Sequence, residues 1–334
     1  MPVNKYYVKE LYEEQQFTAA VLRKDNEALL NNEAYRPLTF RNSKKGSLFI
    51  KMTRLLDAFL LSKKCAENSM VLFHFPLLAT AYDWLHIFLK WRNIKTTAVI
   101  IDLDGIRDND DLLLKKEIQQ LKRFDYLIAH NNSMKDLILS HLPAAKVFTI
   151  NIFDYPAKNT PVERTLSRSV CIAANFEKAP FVHQLNNFTG VNFYLYGQGY
   201  KDKLPDHSSN IHYKGIIEPH LLPGIAEGSF GLIWDGPSTD YCDNYLRYNT
   251  PHKLSLYLAA GLPVIVWKES AIATFVKETN TGVAIQSLEE LNSLFDKISA
   301  NDYAHMQSCA VEEGNKLKEG YYLKAVLKNI YAAV

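Results

Sequence analysis

Short, mostly apolar runs rich in β-branched and aromatic residues alternate with amphipathic stretches along the whole chain. Lys5–Val8, Met70–His74, Thr97–Asp102, Tyr126–Ala129 and Val147–Ile150 read as strands. Between them, Ala81–Arg92 places Trp84, Leu85, Phe88, Leu89 and Trp91 on one broad face at helical spacing. Asp110–Arg123 and Ser133–His141 read as further helices, with Asn or Ser near their starts as N-caps favour. Continuous apolar strands alternating with helices predict a parallel sheet covered on both faces.

A polar, Pro-containing stretch, Asp154–Arg168, interrupts this pattern and is the expected linker. The alternation resumes with strands at Val170–Ala173, Asn192–Tyr196, Ile211–Tyr213, Gly231–Trp234, Val264–Val266 and Val283–Ile285. The expected organisation is therefore α/β: two doubly wound, Rossmann-like domains, residues 1–155 and 169–315. A final helix, Lys316–Tyr331 within residues 316–334, is long enough to pack back on the first domain. Such sheets bind ligands beyond the carboxyl ends of their strands, so two of them are expected to face a central cleft.

Composition narrows the function classes. A chain of 334 residues with 47% apolar residues is too long for a stapled module and too apolar for a disordered one. Its formal net charge of +2 speaks against a nucleic-acid binder driven by bulk charge. No run of 18 or more apolar residues occurs, so no membrane span is expected, and the first residues lack the apolar core of a signal peptide. A cytoplasmic location is the resulting expectation. Cys65, Cys171, Cys242 and Cys309 are widely spaced, without a CxxC pair, and read as ordinary thiols. No HExxH motif or EF-hand loop suggests a metal.

The richest stretch for chemistry is Gly231–Trp267, in which a strand ends near Asp235, a polar loop follows and a helix starts near Pro251. Asn249, Thr250, Pro251, His252 and Lys253 crowd donors at that helix start, where unpaired N–H groups and the helix dipole favour phosphate, and Ser255 just beyond is a further binding candidate. Lys253 opposes the dipole there. Either it points into solvent beside a plain cap, or an anion binds to it, and local features leave both readings open. Asn175 and Lys178 follow another strand, and Gly197 begins a GxG turn. The full GxGxxG fingerprint and the GxxxxGK[ST] loop are both absent, which argues against a dinucleotide enzyme and a P-loop ATPase. Asp102 and Asp104 close a buried strand and offer a general base, or else turn and capping carboxylates. His74 and His130 close strands too and read as satisfied structural histidines. Gln15–Ala20 reads as a polar loop placed near substrate or as a helix cap.

Taken together, KYYVKEL, DLDGIR, ANFEKAPF, YKGIIEPHLLP and above all RYNTPHKLSLYLAAGLPVIVW resemble bacterial GT-B glycosyltransferases. The nearest groups are galactofuranosyltransferase-like enzymes and the accessory glucosyltransferases that extend O-linked sugars on serine-rich-repeat adhesins. The resemblance spans nearly the whole chain and is strongest over Tyr248–Trp267. It implies a UDP-sugar donor and no other cofactor, a glycan or glycopeptide acceptor, and a homo-oligomer. It also implies that Lys253 contacts the diphosphate with Asn249 nearby, that Lys178 replaces a basic residue of relatives, and that Tyr213 lies beside the nucleotide. Thr18 falls in a loop that lies near the sugar in relatives. Relatives often carry His-Asp where this chain has Ile101-Asp102, which leaves Asp102 as the candidate base. The implied chemistry is metal-independent transfer of a hexose to a sugar hydroxyl. An epimerase of the same architecture and a catalytically inactive GT-B-like subunit are the alternatives.

Overall fold

Among the described residues every strand pairs in parallel, and the strands fall into two six-stranded sheets. This is the arrangement that unbroken apolar strands separated by helices dictate, since both faces of each sheet need cover. The computed structural model describes residues 4–9, 18–41, 48–158, 162–200, 209–235 and 245–333. The chain divides into two units, Met1–Ile150 with Ala325–Val334, and Asn151–Lys324.

In the first unit the elements run β1 (Lys5–Lys9), α1 (Thr18–Asn32), β2 (Arg36–Thr39), α2 (Leu48–Lys64), β3 (Met70–Phe75) and α3 (Thr80–Trp91). They continue with β4 (Lys95–Ile100), α4 (Asp104–Arg107), α5 (Asp111–Leu121), β5 (Tyr126–Ala129), α6 (Asn132–His141) and β6 (Val147–Thr149). The sheet order is β2-β1-β3-β4-β5-β6. All six residues of β3 are buried, as an apolar central strand requires. An Asn caps α6 as expected, Asn131 accepting from Met134 N–H, whereas α5 is capped by Asp110, which accepts from the N–H groups of Leu112 and Leu113. The hydrophobic pattern gives no warning of α1, β2 or α2. β2 is a four-residue edge strand carrying Pro37, and only one of its residues is buried, so it has little pattern to show.

The second unit contains β7 (Ser169–Ala173), β8 (Asn192–Tyr196), β9 (Ile211–Gly215), α7 (Leu222–Ile225), β10 (Phe230–Ile233) and α8 (His252–Ala259). After these come β11 (Val264–Trp267), α9 (Ile272–Thr279), β12 (Gly282–Ile285), α10 (Leu291–Lys297), α11 (Ala300–Lys318) and α12 (Tyr321–Ala332). Its sheet order is β12-β11-β10-β7-β8-β9. The order in which strands are added therefore reverses between β7 and β10, which makes the carboxyl ends of those two strands the natural ligand site of this sheet.

Two expectations change. The stretch Asp154–Arg168 belongs to the second unit, and Phe153 and Tyr155 at its start are fully buried. Its polar composition conceals an anchoring role: the Asp154 carboxylate accepts the backbone N–H groups of Tyr322 at 3.1 Å and Leu323 at 2.7 Å, capping α12. The single final helix is instead two, because Gly320 adopts a left-handed turn at φ 71° between α11 and α12. The last residues count with the first unit, where the Tyr331 hydroxyl meets that of Tyr35 at 2.7 Å and Lys5 lies over the Tyr331 ring.

Candidate functional site

At the switch point of the second unit, β7 ends in Ala173 and a turn carries Asn175, Phe176, Glu177 and Lys178. The Asn175 side chain accepts from Glu177 N–H at 3.1 Å, so it caps this turn, while Lys178 stands exposed at its end. The GxG turn after β8 supports the same loop from the side. Phe176 N–H donates to the Gln198 carbonyl and Ala174 N–H to that of Tyr196. Gly197 sits at φ +138°, and a Cβ there would lie 1.8 Å from the Ala174 carbonyl oxygen. Only glycine fits. The Tyr213 hydroxyl donates to the Gly197 carbonyl at 2.8 Å, and its ring stacks on Tyr200 with Phe176 edge-on. Gly197 and Tyr213 thus act on the shape of the Asn175–Lys178 loop.

From the neighbouring strand, β10, the chain reaches α8. This helix is buried from Leu254 through Ala259, so its first turn, at Pro251 and Lys253, is the part that reaches solvent. Pro251 fits the N-cap position because it has no N–H to leave unsatisfied, and no side chain caps this helix start. Tyr257 of α8 accepts Ala173 N–H at 2.7 Å, which ties the helix directly to the end of β7. Lys253 is partly exposed and makes no ion pair among the described residues, and the same holds for Lys178. Asn249 is half-buried, and its amide oxygen has no hydrogen-bond partner among the described residues. Uncapped helical N–H groups and cations without counter-charges, on loops that leave adjacent strands, are the features an anion receptor uses.

Two residues drop out of that receptor. Ser255 is fully buried and donates to the Phe153 carbonyl at 2.6 Å, which fastens α8 to the segment entering the unit. His252 is buried against Tyr155, with ring centroids 5.0 Å apart. Burial pushes its imidazole down to about 4, so it is neutral near pH 7 and supplies no positive charge. No local pattern signals this packing, because Tyr155 lies 97 positions before His252 in the chain.

In the first unit, β4 stops at Ile100, so Asp102 lies past the strand and Asp104 opens α4. Both carboxylates meet Arg107, at 3.7 Å for Asp102 and 2.8 Å for Asp104. Their immediate support was not visible in the sequence. Buried Glu117, from α5, accepts the N–H groups of Asp104 and Gly105, each at 2.9 Å, and burial raises its carboxyl above the ordinary value. His130 is the structural histidine expected, bonding the Ile100 carbonyl at 3.0 Å. His74 departs from expectation, because both of its ring nitrogens are buried without a hydrogen-bond partner. Thr18 begins α1, but its side chain lies outside the described residues, as do the loop before it and Cys242. Among the described residues there is no cluster of His, Cys, Asp or Glu arranged for a metal, and no helix is long and apolar enough to cross a membrane.

Comparison with known proteins agrees with this architecture. The chain is 29% identical over 279 residues to Beta-1,6-galactofuranosyltransferase WbbI of Escherichia coli (strain K12), covering 79% of this chain and 80% of that one. It is 26% identical over 220 residues to Glucosyltransferase 3 of Streptococcus gordonii, covering 64% of each. The fold resembles that of the pneumococcal O-GlcNAc transferase GtfA, solved in complex with UDP and GlcNAc, with a TM-score of 0.55 at 13% identity. That likeness covers 81% of this chain and 59% of GtfA. Residues 5–152 match the Glucosyltransferase 3-like N-terminal domain and residues 170–330 the Glucosyltransferase 3-like C-terminal domain. The protein therefore belongs to the Glucosyltransferase 3-like family and is a glycosyltransferase of GT-B architecture.

Proposed function

We propose that this glycosyltransferase moves a hexose from a UDP-sugar to a sugar hydroxyl of a glycoprotein O-glycan or a cell-surface polysaccharide precursor. The observation that carries the reading is Lys253, a cation in the only solvent-reaching turn of α8, at a helix start without a side-chain cap. A cation that opposes the helix dipole costs stability unless an anion offsets it. The WbbI and Glucosyltransferase 3 relatives and the UDP complex of GtfA support a nucleotide sugar as the source of that anion.

The chemistry follows from charge. When the bond from the anomeric carbon to the diphosphate breaks, negative charge collects on the departing UDP. The α8 N-terminus, Lys253 and Lys178 stabilise that charge as it develops. Nearby Asn249 offers a side-chain amide to the same group. In this reading the acceptor hydroxyl gives its proton to Asp102, which lies 3.7 Å from the Arg107 guanidinium. Transfer needs no metal, because lysines and helix dipole supply the charge.

Titration with UDP tests the assignment. The wild-type chain is expected to melt at higher temperature with UDP, through binding to the native state alone, while Lys253→Ala keeps its fold and loses the shift. An unchanged shift in that variant overturns the site. Transfer is expected to survive EDTA; loss that Mg²⁺ or Mn²⁺ restores overturns the metal-free account. UDP release that depends on acceptor marks a transferase, whereas isomerisation of UDP-sugar alone marks an epimerase.

A further inference from the structure

Helix α2 presents its most apolar stripe to water. Met52, Leu55, Leu56, Phe59 and Leu60 recur at the spacing that normally turns a helix face into the core, yet all are exposed, Met52 to 64% and Leu56 to 51%. The helix already has a buried side, formed by Ala58 and Leu61, so the exposed stripe is additional to the one that packs. It continues onto α3. Phe59 meets Phe88 edge-on at 5.5 Å, and Phe88 meets Trp91 at 5.4 Å. Trp91 is 75% exposed, and Trp84, one turn before Phe88, is 45% exposed. Isolated exposed apolar residues are ordinary, but a continuous face of this kind marks a docking surface.

The charges around the face identify its occupant. The charged residues of α2 are Lys51, Arg54, Asp57, Lys63 and Lys64. Asp57 turns inward, where it accepts from Arg41 Nε at 2.6 Å. Every charged side chain of α2 that reaches water is therefore cationic. Lys63 also lies over the Phe59 ring at 5.4 Å, so positive charge borders the apolar stripe directly. A second copy of the same face would bring like charges together across the contact. A bilayer surface with anionic headgroups accepts both features, because acyl chains take the Leu, Met and Phe side chains and headgroups take the lysines. Exposed tryptophans suit that boundary, being apolar rings with one polar N–H.

We propose that the face formed by α2 and α3 docks on a membrane surface rich in anionic phospholipid, lying in the interface without crossing it. The inference is independent of the transfer reaction, because it uses no residue of the proposed donor site.

Sedimentation of the full chain with vesicles tests it. Binding to phosphatidylcholine vesicles containing phosphatidylglycerol is expected to exceed binding to phosphatidylcholine alone by at least about tenfold and to weaken as salt rises. Tryptophan emission is expected to shift to the blue only with the anionic vesicles. The variant Met52→Ser/Leu56→Ser/Leu60→Ser is expected to lose most binding with an unchanged circular-dichroism melting temperature. Lys51→Glu/Lys63→Glu/Lys64→Glu tests the charge separately and is expected to lose the preference for phosphatidylglycerol. Absence of binding to either vesicle, or equal binding to both, overturns the proposal. So does a dimer in vesicle-free solution that the serine variant converts to monomer, since the face then belongs to a second copy.

Discussion

The two sheets treat charge at their carboxyl ends in opposite ways. In the first unit Asp102 and Asp104 share Arg107, and Glu117 takes up the neighbouring backbone N–H groups. In the second, Lys178 and Lys253 have no counter-charge among the described residues, and the helix start beside Lys253 lacks a side-chain cap. Groups balanced by their own chain hold a loop in shape; groups left unbalanced on rigid supports are available to a ligand. The second unit thus leaves cations unbalanced at its strand ends, as the proposed diphosphate site requires, whereas the first holds its carboxylates by protein contacts.

The sharpest way to break this contrast is Lys253→Ala. Transfer activity is expected to fall by about 10² to 10³ in kcat/KM, the usual loss when a preorganised charge-stabilising group is removed. Arg107→Gln affects folding more than donor binding, so an equal loss of UDP affinity in both variants would erase the distinction. Next in size is Gly197→Ala. Its Cβ would collide with the Ala174 carbonyl, so a loss of at least about 2 kcal/mol is expected in urea denaturation.

Acid should separate the units as well. In the first unit, burial holds His86 down to about 3 and His130 to about 4, and lowers His74 well below its usual value. These rings stay neutral in the fold and become charged on unfolding. The stability they contribute is present above the unfolded value near 6.5 and is lost as pH falls toward 4. Between pH 7 and 5 the loss is about 2 kcal/mol for each such histidine. The second unit has His252, lowered to about 4, against Asp154, which burial raises to about 7. The Asp154 contribution has the opposite sign, being complete below about 4 and lost as pH rises through 7. Hydrogen exchange at pH 5, corrected for intrinsic rates, is expected to show the first unit opening sooner; earlier opening of the second would contradict the contrast. The smallest effect concerns Ser255→Ala, expected to cost about 1 kcal/mol of stability with UDP affinity retained, as befits a hydroxyl bonded to Phe153.

Much of the fold was legible because period and burial agree. β3, β5, β7 and β11 are short apolar runs that the pattern locates, and Asp110 and Asn131 mark the starts of their helices. β2 has no pattern to show, and Gly320, which separates α11 from α12, looks like any helix-tolerated glycine until its φ is known. Near α8, Lys253, Ser255 and His252 look equally suited to a ligand in sequence, and only the burial of the last two tells them apart.

By itself the sequence determined the alternation of strands and helices, the doubly wound class and the strand ends where polar residues collect, since these depend on neighbours a few positions apart. Tertiary structure alone decided which polar groups remain available. Arg107 claims Asp104, Phe153 claims Ser255 and Tyr155 covers His252, while Lys253 keeps its place in the exposed first turn of a buried helix. The physical reason is that charge and hydrogen-bond capacity are consumed by whichever partner lies within about 3 Å, and folding brings together partners that the chain keeps far apart.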